Sequence, residues 1–255
     1  FPPGMDELLD QMDARGVTFA PASGRQVWTL IDMFPGRPGM TVIGENGGIV
    51  MRDGVEVSSH PVDTPTVREV IRLVREATSG PDGIDGGLVM CGKQFAYVER
   101  TDEGFVEGVA PYYHRTKRVE DQNAIIDAIE AGQIDDAIVK LAVYVIGPVE
   151  PLAQATLANF ADTHQYAISG ANWADLQIRG VDKGSAVRDL QRFLGVERAQ
   201  TAVFGDAGND LSMMSEGDLS FAMANASQDV IEAARFVAPS NNEAGVAQVL
   251  RSLLK

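Results

Sequence analysis

Two carboxylates and an amide lie close together in the segment Gly205-Asp206-Ala207-Gly208-Asn209-Asp210. The apolar run before this segment predicts a short buried strand that ends at Asp206. Asn209 is a favourable N-cap for a helix predicted over 210–215. Ligands bind at the carboxyl ends of strands in open α/β sheets, and Mg²⁺ takes oxygen ligands with only one or two protein carboxylates. The segment therefore predicts a magnesium site at Asp206 and Asp210, although a capped helix after a strand is the alternative.

Three other stretches place polar residues where a strand is predicted to end. They are Ala22-Ser23-Gly24-Arg25, Glu45-Asn46-Gly47-Gly48 and Val181-Asp182-Lys183-Gly184. Ser23 offers a hydroxyl and Gly24 an unobstructed N–H at the start of a helix, where an anion is favoured. Lys183 offers a compact positive charge that neutralises a transferring phosphoryl oxygen. Each residue alone also has a structural interpretation: Ser23 as an N-cap, Asn46 as a turn residue and Lys183 as a solvated lysine.

The composition limits the classes of function and location. The 255 residues carry a formal net charge of −15, which argues against nucleic acid as a partner. A hydrophobic fraction of 45% is typical of a globular protein, and no apolar run reaches the ~18 residues that predict a membrane span. The only cysteine, Cys91, has apolar neighbours and is predicted to be an inert buried thiol. We predict a cytoplasmic protein; the sequence makes no prediction of its oligomeric state.

Two styles of hydrophobic pattern alternate along the chain. Residues 1–53 and 175–255 have the pattern of alternating strands and helices. This pattern predicts an α/β domain with a Rossmann-like core of three layers, in which helices cover both faces of a parallel sheet. A strand is predicted over 17–22 and a hairpin around Asp53-Gly54. Residues 54–174 read as an α+β insert with an antiparallel sheet, and 173–178 alternates like a strand with one wet face. We therefore predict a cap domain inserted into a core domain.

The order of the polar stretches resembles the haloacid-dehalogenase superfamily of phosphatases, in particular its Cof-like branch. Ser23 before Gly-Arg matches the second motif of that family, Lys183 the third, and Asp206 with Asp210 the fourth. Asn46-Gly47-Gly48 matches the turn before the cap in this branch. Two C-terminal segments also match its closing pattern: Phe221-Ala222-Met223-Ala224-Asn225-Ala226 and Ser240-Asn241-Asn242-Glu243-Ala244-Gly245-Val246-Ala247.

The resemblance implies a role for each matched residue. Asp206 and Asp210 would hold Mg²⁺, and Lys183 and Ser23 would act in catalysis. The residues that would bind the phosphate of a small phosphorylated metabolite are Ser23, Gly24, Arg25, Asn46, Lys183 and Asn209. The cap would close over the substrate, with Tyr112, Tyr113, His114 and Arg115 either within reach of it or serving as ordinary loop residues.

One family motif is absent from the sequence. The first motif, Asp-x-Asp-Gly-Thr, carries the attacking aspartate and an acid/base aspartate, and no such segment occurs. We expect it upstream of Phe1, on a strand between the one predicted over 17–22 and the one ending at Asp206. The predicted function is then a Mg²⁺-dependent phosphatase that forms an aspartyl-phosphate. The alternatives are a phosphomutase of the same superfamily, a catalytically dead phosphate- or metal-binding protein and, least favoured because no G-x-G-x-x-G joins a strand to a helix, a nucleotide-binding Rossmann enzyme.

Overall fold

The computed structural model describes residues 1–37 and 39–255. Its N-terminal part contains two helices, a strand and a hairpin. These are α1 (Met5–Ala14), α2 (Val27–Asp32), β1 (Thr41–Gly44), β2 (Ile49–Arg52) and β3 (Val55–Ser59). The three strands form one antiparallel sheet, so the hairpin predicted around Asp53-Gly54 is confirmed. Both residues of that turn have positive φ.

The middle of the chain folds around a six-stranded sheet. Its elements are α3 (Thr64–Thr78), β4 (Gly86–Gly92), β5 (Ala96–Val98), α4 (Glu103–Val109), β6 (Thr116–Arg118), α5 (Gln122–Glu130), β7 (Ile138–Val145), α6 (Glu150–Ala155), β8 (His164–Gly170) and β9 (Trp173–Ile178). The strand order is β6-β5-β4-β7-β9-β8, and every pair except β5–β6 is antiparallel. The antiparallel sheet predicted for this region is confirmed.

The C-terminal part returns to alternating helices and strands. It contains α7 (Lys183–Leu194), β10 (Ala202–Gly205), β11 (Leu219–Met223), α8 (Gln228–Ala233), β12 (Phe236–Ala238) and α9 (Gly245–Leu253). The three strands pair in parallel in the order β10-β11-β12. Apolar residues of α1, α2 and α9 share one buried cluster, and those of α7 and α8 share another with residues of the core strands. Helices therefore cover both faces of the core, in three layers.

The core sheet is divided into two pieces. The predicted strand over 17–22 is not a regular strand: it is an extended segment with a single parallel bridge, between Ala22 and Ile43. Pro21 lacks an N–H and so removes one donor from this segment. In the part of the chain that the structure describes, β10 pairs only with β11. Ala20 of this segment and Val203 of β10 pack in one cluster, so the segment and β10 lie beside the same part of the core. Among the described residues, each has an edge that pairs with no strand.

Strand pairing bears on the predicted domain junctions at residues 53/54 and 174/175. β3 pairs with β2 and so belongs to the sheet of the core. β9 pairs along its length with β7 and β8 and so belongs to the sheet of the cap. Residues 55–59 thus extend the sheet of 41–52, and 175–178 extend the sheet of the middle of the chain, while the exact domain junctions stay predictions.

β9 differs from the predicted strand with one wet face. Its residues from Ala174 to Gln177 are all buried. One face packs in the cap core, whereas Asp175 and Gln177 on the other face bond to the core turn at Glu45 and Asn46. The alternation in the sequence shows the polarity of that face but not its burial, because the covering turn lies far away along the chain.

No helix in the described ranges is long and apolar enough to cross a membrane.

Candidate active site

Lys183 and the two predicted metal ligands lie together at the carboxyl end of β10. The Lys183 ammonium, on a side chain only 6% exposed, donates to Asp210 Oδ1 at 2.6 Å. Asp210 Oδ2 accepts from the backbone N–H groups of Asp206 and Ala207, at 3.0 and 3.2 Å. Asp210 thus fixes both the lysine and the loop that carries Asp206. Lys183 therefore lies directly against the loop of Asp206 and Asp210.

The start of α7 brings Lys183 to this loop. Asp182 is the N-cap, with its carboxylate accepting from the Ser185 N–H at 2.8 Å and the Ser185 hydroxyl bonding back to the Asp182 backbone. The N–H of Gly184 donates to Ser212 Oγ at 3.0 Å. A capping box of this kind sets where the first turn begins. It therefore sets the direction in which the Lys183 side chain leaves the helix.

The helix after Asp206 differs from the prediction in type and start. It is a 3₁₀ helix over Gly208–Ser215, with Ala207 as its N-cap. Asn209 is therefore inside the helix and is not its cap; Asp210 takes the capping role because its carboxylate reaches back to the Ala207 N–H. The Asn209 amide is free to donate to Asn46 Oδ1, at 3.1 Å.

Asp206 has a different environment from Asp210. Its side chain is partly buried, and Oδ2 accepts from the Asn241 amide at 2.6 Å. Asn241 lies in the C-terminal segment 240–247, which resembles the closing pattern of the family. The sequence analysis predicted no role for Asn241 itself. A partly open carboxylate at a strand end can still take another ligand.

The turn that carries Ser23 is held against β1. The Ser23 N–H donates to the Ile43 carbonyl at 2.9 Å, and Ser23 Oγ accepts from the Arg25 N–H at 3.2 Å. The Arg25 side chain points to the cap, where it donates to the Pro111 carbonyl and stacks over Tyr112 at 4.6 Å from the ring centroid. Arg25 as a phosphate ligand stays a prediction, and in this arrangement its guanidinium ties the core to the cap.

The turn at Glu45–Gly47 joins the remaining predicted residues. Asn46 has φ 52°, its N–H donates to the Ser23 carbonyl at 3.0 Å, and its side chain bonds to Asn209. Gly47 has φ 97°, and a Cβ there would overlap the Asp182 carbonyl, so that only glycine fits this close approach to α7. Ser23, Asn46, Asn209 and Lys183 therefore come from four segments that meet at one edge of the core.

The cap lies against α2, directly after the Ser23 turn. The Gln26 side chain donates to the Arg115 carbonyl at 3.1 Å and accepts from its N–H at 2.9 Å, and the Gln26 N–H donates to the Tyr112 carbonyl. Thr29 bonds to the same loop. Tyr112 is 37% exposed and packs 5.2 Å from the Trp173 ring centroid, whereas Tyr113 is buried. The loop 112–115 is thus the main contact of the cap with this part of the core.

A buried ion-pair cluster borders the site and was not predicted. Lys140 of β7 lies 2.7 Å from Glu45 Oε2 and 3.7 Å from Asp175 Oδ1, and both Lys140 and Glu45 are 1% exposed. Burial raises the pKa of Glu45 against the opposing effect of Lys140. Burial lowers the pKa of Lys140, but the carboxylates of Asp175 and Glu45 outweigh it and raise that pKa overall. The only sequence signal was a lysine inside an apolar strand.

Cys91 lies next to this cluster. It is fully buried and its Sγ contacts the Tyr113 hydroxyl at 3.4 Å. Burial, followed by the charge of Glu45, raises the pKa of the thiol well above its ordinary value. A protonated buried thiol is a poor nucleophile, which agrees with the predicted inert role.

The donor set at the end of β10 fits a magnesium ion. Among residues 1–37 and 39–255 no group of three or more His, Cys, Asp or Glu side chains is arranged as a metal cluster. Mg²⁺ needs only one or two carboxylates when water and phosphate oxygens complete its shell. Asp206 supplies one such carboxylate, whereas both oxygens of Asp210 accept from N–H donors. Asp210 as a direct ligand stays a prediction.

The family model for haloacid dehalogenase-like hydrolases matches residues 2–250. The chain is also 31% identical over 250 residues to the 5-amino-6-(5-phospho-D-ribitylamino)uracil phosphatase YbjI of Escherichia coli. The aligned region covers 96% of this chain and 86% of that protein. The chain therefore belongs to the haloacid dehalogenase-like hydrolases. It is an enzyme of the phosphoric monoester hydrolase class.

Solved structures show the same fold. A protein of Eubacterium rectale superposes with a TM-score of 0.82 at 24% identity, covering 99% of this chain and 92% of that chain. The subclass IIB sugar phosphatase BT4131 superposes with a TM-score of 0.75 at 18% identity, covering 99% of this chain and 92% of that chain. The mixed α/β fold with a cap is thus shared across a wide range of sequence.

Proposed function

We propose that this protein is a Mg²⁺-dependent phosphatase that hydrolyses small phosphate monoesters, such as sugar phosphates, through an aspartyl-phosphate. One observation carries the proposal: the Lys183 ammonium bonds to Asp210, whose other oxygen holds the backbone of Asp206. A cation bonded to the loop that carries a metal-binding carboxylate is what phosphoryl transfer requires, because charge develops on the phosphoryl oxygens.

The residues of the site divide the work. Lys183 and the amides of Asn46 and Asn209 would bind the phosphoryl oxygens, together with the Ser23 hydroxyl and the Gly24 N–H. Lys183 contributes most because its full charge lies in a buried site, where electrostatic interactions are strong. Asn46 and Asn209 are already bonded to one another at 3.1 Å, so their orientation is fixed before a substrate binds.

Asp206 would hold the metal. A divalent cation there would neutralise charge on the transferring group and orient it. The Asn241 amide donates to Asp206 Oδ2 and so restricts the rotation of the carboxylate. Outer partners of this kind commonly tune the affinity of a metal ligand.

The attacking carboxylate is proposed to lie on a strand between the extended segment 17–22 and β10. Both have unpaired edges toward the shared core, and Phe19 and Phe204, one on each, are only partly buried. A strand at this position would satisfy the backbone groups of both neighbours and would end next to Ser23 and Asp206. Its aspartate would attack phosphorus, a second aspartate would protonate the leaving alcohol, and water would then release phosphate from the aspartyl-phosphate.

The test is phosphate release by the full-length protein. The substrates are p-nitrophenyl phosphate, a panel of sugar phosphates and, because of the relative in Escherichia coli, 5-amino-6-(5-phospho-D-ribitylamino)uracil. Each is assayed with Mg²⁺ and with EDTA. We expect release that depends on Mg²⁺; metal-independent release or none would reject the proposal, and isomerisation of a sugar phosphate would indicate the mutase instead.

Asp206→Asn provides the matched test of the metal. We expect it to lower Mg²⁺ affinity, measured by calorimetric titration, and to stop turnover, because the amide carries no charge. Asp229→Asn, at an exposed carboxylate near the start of α8, should leave both unchanged.

A cytoplasmic location and the absence of nucleic-acid partners stay predictions of the sequence.

A further inference from the structure

A lysine of the cap is buried against the two core turns that carry the candidate phosphate ligands. Besides its ion pair with Glu45, the Lys140 ammonium donates to the Gly24 carbonyl at 2.7 Å. Gly24 is 116 residues away along the chain. Burial of a charge at this depth is costly unless it is paired and hydrogen-bonded. Lys140 has no part in the chemistry described above.

The bond to Gly24 has a geometric consequence at Ser23. In a trans peptide the C=O and the next N–H point in opposite directions. Because Lys140 holds the Gly24 carbonyl on the cap side, the Arg25 N–H points the other way, and it donates to Ser23 Oγ at 3.2 Å. Lys140 thus fixes the plane of the peptide that orients the Ser23 hydroxyl.

The same ammonium acts on the second turn through two carboxylates. Glu45 has φ 51°, a left-handed conformation that a non-glycine residue adopts only when its surroundings hold it. Asp175 lies beside Lys140 and accepts from Asn46 Nδ2 at 3.0 Å. Since Asn46 Oδ1 accepts from Asn209, the chain of contacts runs from Lys140 to the loop of Asp206.

We propose that Lys140 is a positioning residue for the phosphatase reaction: from the cap, it holds the Ser23 turn through Gly24 and the Asn46 turn through Glu45 and Asp175, so that both face the phosphoryl group. This inference rests on the proposed function. It makes the cap part of the phosphate-binding machinery as well as a cover for the substrate.

The test compares two variants of the full-length protein with p-nitrophenyl phosphate. Lys140→Met leaves Glu45 unpaired and is expected to be unstable. Lys140→Met with Glu45→Gln removes the more closely paired of the two buried carboxylates, leaves Asp175, and should recover part of the thermal stability. We expect the double variant still to show a higher KM and a Ki for inorganic phosphate raised by roughly tenfold or more, with a lower kcat, because the Gly24 carbonyl has lost its donor.

The inhibition constant separates positioning from folding. Loss of folded protein lowers the apparent kcat but leaves the Ki for phosphate unchanged in the molecules that remain folded. Tyr97→Phe is the control, since it removes a buried hydrogen bond to Asp136 elsewhere in the cap and should change stability without changing Ki. A double variant with wild-type Ki and kcat would overturn the inference. An inactive wild-type protein would instead reject the proposed function.

Discussion

At the scale of single residues, Lys183 combines two functions that are difficult to separate. Its ammonium compensates the buried Asp210 carboxylate, and it is the one lysine among the described residues that bonds to the Asp206–Asp210 loop. Removing only the lysine would leave an unpaired buried carboxylate, which costs roughly 3–5 kcal/mol of stability. A test of its catalytic role must therefore remove both charges.

We predict that Lys183→Met with Asp210→Asn folds but loses kcat by roughly 100- to 1,000-fold, because the transition-state charge loses its cation. Steady-state kinetics on p-nitrophenyl phosphate, with circular dichroism to verify folding, measures this. Lys93→Met is the matched control, since the Lys93 ammonium pairs with Glu56 and not with the Asp206–Asp210 loop. Normal turnover in the double variant would remove Lys183 from the mechanism.

Single residues also show what the sequence can and cannot predict. Ser23 and Asp206 were predicted as site residues because each follows an apolar run, and Lys183 because its stretch follows a predicted strand. Lys140 was missed because its partners lie on distant segments, so that its context in β7 is only a lysine among apolar residues.

At the scale of elements, the start of α7 links local stability to the site. Asp182 caps this helix, and the next residue is Lys183. Ser, Thr, Asp or Asn at an N-cap contributes about 1 kcal/mol relative to Ala. The position of Lys183, the proposed catalytic lysine, thus depends on a local interaction that the sequence reveals.

We predict that Asp182→Ala lowers stability by about 1 kcal/mol and also lowers kcat, because the first turn of α7 and Lys183 lose their fixed position. Asp63→Ala removes the cap of α3, whose carboxylate accepts from the Thr66 N–H at 3.0 Å. It should lower stability to a similar degree and leave kcat unchanged. Urea unfolding and steady-state kinetics measure the two effects, and equal kinetics in both variants would contradict the prediction.

Three helices of the cap begin at aspartates with lowered pKa values. At Asp63, burial raises the pKa, but the hydrogen bonds of the carboxylate, chiefly the one from the Thr66 N–H, outweigh burial and lower the pKa overall. Arg100 lowers the pKa of Asp102, and Arg75 lowers the pKa of Asp121. A backbone N–H adds to the lowering at both of these aspartates. A folded pKa below the unfolded value of about 3.9 stabilises the native state above that pH. This contribution is lost as the pH falls through the folded pKa.

We therefore predict that the urea midpoint is constant near neutral pH and falls below about pH 4. Asp63→Asn keeps an N-cap acceptor without the charge, so it should flatten part of this dependence. Urea titrations between pH 6 and 3 measure it. A midpoint that rises on acidification, or a variant with the full wild-type slope, would contradict the assignment.

The element scale also marks where sequence patterns are sufficient. The hairpin around Asp53-Gly54 was predicted correctly because its turn residues are a local signal. The segment 17–22 was predicted as a strand, but a strand needs partners on its edges, and among residues 1–37 and 39–255 its one bridge is at Ala22. The second buried face of β9 depends on the core turn at Glu45, which no local pattern encodes.

At the scale of the whole molecule, the side-chain amide of Gln26 in the core hydrogen-bonds to the backbone of the cap. This side chain is fully buried and bonds to both polar groups of the Arg115 backbone. Leaving a buried backbone group without a partner costs roughly 1–3 kcal/mol. Gln26 is therefore one of the buried side chains that hold the cap against α2.

We predict that Gln26→Ala weakens the contact of the cap with α2, lowers kcat/KM and speeds hydrogen exchange at the Arg115 amide. Gln122→Ala is the control, because Gln122 bonds to the Leu88 and Tyr97 carbonyls inside the cap. It should destabilise the cap without changing exchange at Arg115. Unchanged exchange in Gln26→Ala would show that other contacts hold the domains together.

The shared charges at Lys140 limit how this cap can be exchanged by recombination. Lys140 and Asp175 come from the cap, whereas Glu45, Gly24 and Asn46 come from the core. A foreign cap with a neutral residue at the position of Lys140 would bury Glu45 with no counter-charge. Chimeras that transfer substrate preference between relatives should therefore inherit these positions as one unit, and a library that shuffles them independently should yield few folded members.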